Sequence, residues 1–414
     1  MKKTKVQKAT SRAPAIGERK ALRKRVILSN TNALEVDGMP DLFVGNMAVP
    51  EVAGKMVGLP GPVVDSLRAA EAFKVTQGWS LFRKPAVLMR SETVEMGKLI
   101  QNLDAQTENR KTIRKIIAGE RGSGKSVLLL QAMAMAYLKG WIVINIPDAK
   151  DLVQNHAAYA PIPDSQPLLY LQKTLTASLL DRLQKSNPIL TTLTLSKPHT
   201  FPLPLSPQTT LSDLALHGIS DPDLAWPAFT ILWTELTSPS SPIPGATRPP
   251  ILLALDGLAH ALINSHYLTR DAQPIHAHDL ALVSFFLRYL RASPPTDLPN
   301  GGLVLAAMSA SNAPSCPALR LAVSQSLARQ RGEEVPEWDP YRKIDTRALE
   351  AVSGVDVLGV GGLSKVEARA VLEYYAASGV VRERVDARYV GEAWTVSGGG
   401  LVGELERGAV RMRV

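Results

Sequence analysis

The sequence predicts an α/β fold, a parallel sheet flanked by helices, and three observations carry that prediction. Short apolar runs at residues 113–118, 141–146, 251–256, 303–308 and 355–360 are separated by helix-like stretches, the alternation that builds a parallel sheet with helices on both faces. The run at 141–146, apolar but for Asn145, does not alternate with polar residues, as in strands buried on both sides. Between the first run and a long stretch free of Gly and Pro stands Gly-Glu-Arg-Gly-Ser-Gly-Lys-Ser, residues 119–126, a full match to the phosphate-binding P-loop pattern G-x-x-x-x-G-K-[ST].

Residues 27–85 carry scattered Gly and Pro with short apolar pieces such as 63–73, which predicts an extended arm with a few local helices, wrapped on the core or on a neighbour. Ser91 offers an N-cap to a helix over 92–103, followed by a polar link at 104–110 and the first strand. The helix expected over 125–139 carries Val127, Leu128, Leu130, Met133, Ala134 and Leu138, and Gly140 ends it as a C′ glycine. The second strand closes at Pro147-Asp148. Helix candidates at 168–183 and 224–236 flank residues 186–208, which are dense in Pro, Thr and Ser and read as an irregular insertion, and 238–250 is a second Pro- and Ser-rich link. The third strand ends on Asp256, a helix is expected over 279–291, and the fourth and fifth strands follow. Ser364 then caps a stretch with Val366, Ala370, Val371 and Tyr374 at helical spacing before Gly379, a small helical lid. The division is therefore a basic tail and arm (1–90), a nucleotide-binding α/β domain with an insertion at about 186–250 (91–360), and a lid (361–414).

The chain has 414 residues, 45% of them hydrophobic, enough for a sizeable core and two or three domains. Its net charge of +9 has a local origin. Residues 1–25 hold ten of the 47 Lys and Arg but one of the 38 acids, Glu18, so the other 37 bases and 37 acids cancel. Such a segment cannot bury enough apolar surface to fold alone, and it suits contact with the phosphates of RNA; a basic, acid-poor organellar targeting segment has the same composition. The single Cys316 excludes an internal disulfide framework and reads as a packed thiol. No apolar run approaches the ~20 residues needed to cross a bilayer, so a soluble protein is expected.

The phosphate loop supplies the chemistry. Glycines let successive backbone N–H groups and a helix N-terminus surround a phosphate chain, Lys125 would neutralise β/γ-phosphate charge, and Ser126 would ligate Mg2+. The expected nucleotide contacts are Gly119, Glu120, Arg121, Gly122, Ser123, Gly124, Lys125, Ser126 and Val127. Asp256, at the end of a buried strand, fits the acid beside the Mg2+ coordination sphere, making Ser126 and Asp256 the metal-site pair. Many hydrolysing ATPases place Glu next, to orient water; here the residue is Gly257, and no catalytic residue is assigned. Asp148, Ser309 and Ser311 end strands where they could reach the γ-phosphate or serve as turn and cap residues. His276 and His278, with His260 and His266 nearby, lack Cys partners and fit a solvated loop better than a metal site. Phe73, Trp79 and Phe82, interleaved with Lys74, Arg83 and Arg90, suit RNA contact or anchoring of the arm on the core.

Several separated pieces resemble the death-associated protein 3 family of the small mitochondrial ribosomal subunit: the phosphate loop, Gly-Trp-Ile-Val-Ile-Asn-Ile-Pro-Asp-Ala from 140, Leu-Ala-Leu-Asp-Gly-Leu from 253, Asp-Leu-Ala-Leu-Val from 279 and Gly-Gly-Leu-Val-Leu-Ala-Ala from 301. Together they span about residues 90–410, and the Asp-Gly after the third strand is similar to the family. The resemblance implies a P-loop NTPase core similar to AAA+ domains, bound GTP or GDP with Mg2+, a place in the head of the small subunit, and contacts with ribosomal RNA and neighbouring mitoribosomal proteins in the mitochondrial matrix. It also puts the base beside the helix that begins near Glu92. Ser397-Gly-Gly-Gly400 with Glu404 and Arg407 resembles the family-type lid turn and helix but departs from the usual Asn-Pro version, which puts a sensor role for Arg407 in doubt. The function implied is a structural ribosomal protein with slow or no hydrolysis; an AAA-like or signalling ATPase that remodels a partner is the alternative.

Overall fold

A computed structural model describes residues 26–105, 110–163, 165–240, 245, 247–311, 313–341 and 343–411. The basic tail lies outside them. In chain order, the arm contains β1 (Met56–Gly58), α1 (Gly61–Ala69) and β2 (Ala86–Leu88), and then come α2 (Ser91–Ala105), β3 (Thr112–Ala118), α3 (Lys125–Leu138) and β4 (Ile142–Ile146). A middle region holds α4 (Ala149–Val153), β5 (Ala160–Pro161), β6 (Tyr170–Leu171), α5 (Lys173–Ser186), α6 (Leu211–Ser220) and α7 (Ala225–Leu236). After it come β7 (Ile251–Asp256), β8 (Asn264–Leu268), β9 (Pro274–His276), α8 (Ala281–Leu290), β10 (Gly302–Ala307), α9 (Pro317–Arg331), α10 (Thr346–Val352) and β11 (Asp356–Gly359). The lid is α11 (Lys365–Ala377), α12 (Ala387–Val396) and α13 (Val402–Arg411). Among the described residues no helix is long and apolar enough to cross a membrane.

The five expected strands form one parallel sheet in the order β11-β3-β10-β7-β4. Successive side chains of a strand point to opposite faces, and the core divides accordingly. Ile116, Ile144, Leu253, Val304 and Val357 join α5 to α10 on one face. Ile117, Val143, Leu252, Leu303 and Leu358 join α2, α3 and the arm on the other. The expected helix-flanked parallel sheet is thus what the chain builds. The arm packs on its own core: Leu42, Met47, Leu67 and Met89 are fully buried against that second face. Phe73, Trp79 and Phe82 are 5%, 7% and 7% exposed, so they are anchors and not an RNA-facing surface.

Two further expectations need correction. Ser91 is the first residue of α2 instead of its N-cap; Arg90 stands at the cap position, its carbonyl accepting from the Val94 N–H. The region 186–250 is also less irregular than its composition suggests. It contains α6, opened by a reciprocal capping box between Thr210 and Asp213, and it is pinned by a buried ion pair in which Arg248 donates to Glu235 at 2.6 Å.

Sheet topology fixes where a ligand can sit. The chain leaves β3 through α3, on the second face, and leaves β10 through α9 and α10, on the first. The connections of these neighbours diverge between their carboxyl ends, the crevice where open α/β sheets bind ligands. Ala307 of β10 pairs with Asp256 on one side and Ile117 on the other. The glycine-rich loop and the strand-end acid therefore emerge at the same edge.

Candidate phosphate-binding site

Residues 119–124 leave β3 and turn into α3 through backbone that other residues do not readily adopt. Gly122 and Gly124 have φ of +77° and +102°, and a Cβ on Gly119 would collide with the Val360 carbonyl. Gly124 is the N-cap and has no side chain to cap the helix, so the first N–H groups of α3 are left for a ligand. Glu120 and Arg121 are exposed on the crest, Ser123 is buried, and Val127 lies in the first turn of α3. The Ser123 hydroxyl is buried with no partner. An unpaired buried hydroxyl is costly in a closed structure, so its presence here fits a loop shaped around a polar group.

Lys125 is 7% exposed and curls back over the loop, its ammonium donating to the carbonyls of Gly119 (2.9 Å) and Glu120 (2.6 Å). Burial lowers its pKa, partly offset by the charges of Asp256 and Glu120. Ser126 donates its hydroxyl to Asp256 Oδ2 at 2.6 Å, across 130 residues of sequence. The two residues expected to share a metal ion are thus brought into direct contact. Asp256 is 3% exposed, and its other oxygen accepts the Gly257 N–H at 2.8 Å.

No base stands in the position after Asp256. Gly257 has φ of +79°, and a Cβ there would lie 2.8 Å from Asp148 Oδ1. Asp148 itself caps α4, accepting the Lys150 N–H; burial raises its pKa, against the Lys150 N–H and the charge of Lys74. Ser309 donates to the Ser311 carbonyl in an exposed turn after β10, a turn role. Arg407 pairs with Glu404 on α13, both side chains being exposed. His276 and His278 are not in a solvated loop. Their rings pack edge to face 4.5 Å apart, with His276 also bound to Asp345, and no metal-ligating group of three was found among the described residues. Cys316 is buried at the N-cap of α9, where burial raises the thiol pKa.

Three participants were invisible to local pattern. Lys74, in the arm loop after α1, forms an ion pair with Asp256 Oδ2. Arg90, 8% exposed, donates to the carbonyls of Ser123 (3.0 Å), Gly361 (3.2 Å) and Gly362 (3.4 Å) and to Glu92 Oε1 (3.1 Å). In the lid, the Gly403 N–H donates to the Gly122 carbonyl at 2.9 Å. Beside the loop is a largely apolar cavity of about 130 Å3, lined by Arg90, Glu92, Gln131, Val127, Trp79, Tyr375 and Val402 among others. Arm, loop and lid meet around it.

A sequence profile described as mitochondrial ribosomal death-associated protein 3 matches residues 87–408. Over 414 aligned positions, 99% of this chain and 86% of the relative, the sequence is 43% identical to the small ribosomal subunit protein mS29 of Neurospora crassa. It is 25% identical to the protein of the same name from Schizosaccharomyces pombe over 80% of this chain and 67% of that one. The matched span takes in the arm's last strand residues, the whole sheet and nearly all of the lid.

Proposed function

This chain belongs to the mitochondrial ribosomal death-associated protein 3 family, and from that premise we propose that it holds GTP or GDP with Mg2+ in the ribosome and turns it over slowly or not at all. As a member of the family it is a structural component of the small subunit of the mitochondrial ribosome. Ribosomal RNA of that subunit and neighbouring ribosomal proteins are the partners we propose, with the basic residues 1–25 among the RNA contacts.

The observation that carries the nucleotide reading is the hydrogen bond from Ser126 to Asp256. It joins the two residues that separate sequence patterns nominate for one metal ion. In this reading the loop N–H groups and Lys125 hold the phosphates, Ser126 and Asp256 hold Mg2+, and the base enters the cavity flanked by Arg90 and Glu92. The bound ion would neutralise phosphate charge and fix the chain's position in the loop. The P-loop core is of the AAA+ kind in this proposal, supported by the loop that follows β3 and the acid at the end of β7, with β10 between the two strands. Guanine as the base rests on the family resemblance. Slow turnover follows from Gly257, which has no side chain to orient water.

The test is to denature the purified full-length protein, identify the released nucleotide by chromatography, and measure turnover of GTP and ATP. Co-purified guanine nucleotide, lost in Lys125→Ala, with negligible turnover is the expected result. Fast multiple turnover of ATP by the protein alone would replace this reading with a partner-remodelling ATPase.

A further inference from the structure

We propose that Lys74 is a member of the nucleotide site: a tethered cation that holds Asp256 when no divalent ion is bound and is displaced from it by the ion. The proposal rests on the Mg2+-nucleotide reading above and adds a residue to that site which no phosphate-loop pattern contains.

Asp256 has a side chain 5% exposed, and its carboxylate would otherwise be met by one hydroxyl, from Ser126, and one N–H, from Gly257. A buried carboxylate requires a charged partner, and a second acid, Asp148, lies close by at Gly257. Lys125 acts on the carboxylate only through space; Lys74 supplies the cation in direct contact, on Oδ2, the same oxygen that accepts the Ser126 hydroxyl. A divalent ion held by Ser126 and Asp256 would need that oxygen. Two cations on one carboxylate oxygen repel strongly at such separations, so ammonium and metal exclude each other.

The loop is built to let the side chain move while its backbone stays. Phe73 and Trp79 are buried and pack edge to face, 5.1 Å between centroids. Gln77 Oε1 accepts both the Lys74 N–H (2.9 Å) and the Trp79 indole N–H (2.6 Å). The Lys74 side chain, in contrast, is 32% exposed and borders a separate cavity of about 730 Å3 shared with Asp148, Asp151 and Glu71. Displaced from Asp256, the ammonium has acidic neighbours and solvent to receive it.

Mn2+ serves as a spectroscopic probe for the divalent site. Its binding to full-length wild type, Lys74→Met, Lys74→Gln and Lys74→Arg is followed by the loss of free-ion electron paramagnetic resonance, without nucleotide and with GDP, with Asp256→Asn as the background for other sites. Removing the charge in either Lys74→Met or Lys74→Gln is expected to tighten Mn2+ binding without nucleotide at least about tenfold, whereas Lys74→Arg stays as weak as wild type. Unchanged or weaker binding in both neutral variants, with GDP still retained, would overturn the role of Lys74 and leave the nucleotide site standing. Failure of every variant and of wild type to bind GDP or Mn2+ would overturn both.

Discussion

Replacing Arg90 with alanine should loosen three parts of the molecule at once. The guanidinium is almost buried, and it joins the start of α2 to the phosphate loop at Ser123 and to the hinge of the lid at Gly361 and Gly362. Glu92 and Glu367 flank it, with side chains 18% and 14% exposed, and its Nε lies 4.0 Å from Glu367. Hydrogen bonds that involve a charged group are worth roughly 1.5–3 kcal/mol each, and stripping one partner from a buried ion pair costs about 3–5 kcal/mol. The two shortest contacts, to Ser123 and Glu92, set the scale, and we expect Arg90→Ala to lose about 4 kcal/mol. That is a large share of the ~5–15 kcal/mol typical of a folded domain. The assay is urea denaturation of the full-length protein, combined with hydrogen exchange in the folded state. Exchange should rise in residues 121–124 and 361–363 while β7 and β10 stay protected. Arg90→Lys should recover less than half the loss, since an ammonium cannot span four acceptors arranged as a fan. A loss under about 1 kcal/mol, or exchange rising evenly through the sheet, would refute the idea that Arg90 is the common fastening.

Three further outcomes are expected. Gly257→Glu should not install a working base. The left-handed backbone and the 2.8 Å approach to Asp148 should cost about 1–3 kcal/mol in melting experiments without raising GTP turnover. His278 has its pKa pushed down to about 4 by burial, and further by the charges of His276 and Arg347. The unfolded chain, with the ordinary value of 6.5, takes the proton first, so this contribution is whole above pH 6.5 and is lost as pH falls towards 4. At about 1.36 kcal/mol per unit the loss is on the order of 3 kcal/mol, and His278→Phe should flatten denaturation midpoints in that window. Deleting residues 2–25 should make the salt dependence of binding to small-subunit RNA shallower, by roughly 0.7–0.9 per phosphate contact removed; an unchanged slope would make the segment a targeting arm alone.

The legible part of this protein was whatever the chain encodes within a dozen neighbouring residues. β4 and β7 are wholly buried on both faces, so burial itself wrote their runs, apolar but for Asn145 and the terminal Asp256, and the loop of residues 119–126 carries its own glycines, lysine and serine. Asp256 was readable because it ends such a run. Lys74 was not, for it reaches Asp256 from 182 residues away, and its aromatic neighbours point to RNA contact or arm anchoring and not to that carboxylate. His276 and His278 looked exposed because their burial comes from tertiary packing beside Asp345. Helix α6 was a different kind of miss. Its Thr210–Asp213 capping box is present in the sequence, but Ser and Thr are common all around it, and a cap residue among many of its kind carries little local signal.

The bond between Gly403 and Gly122 has a consequence for how the protein comes into being. A polypeptide leaves its own ribosome amino-terminus first, at about 5–20 residues per second, so the loop emerges long before the residue that braces it. Until position 403 has been made, residues 119–126 can have their sequence without their described geometry. Long-range closure of this sort is slow because distant segments must meet before they reward one another. The described geometry of the loop therefore requires that the chain has been synthesised and folded at least as far as residue 403.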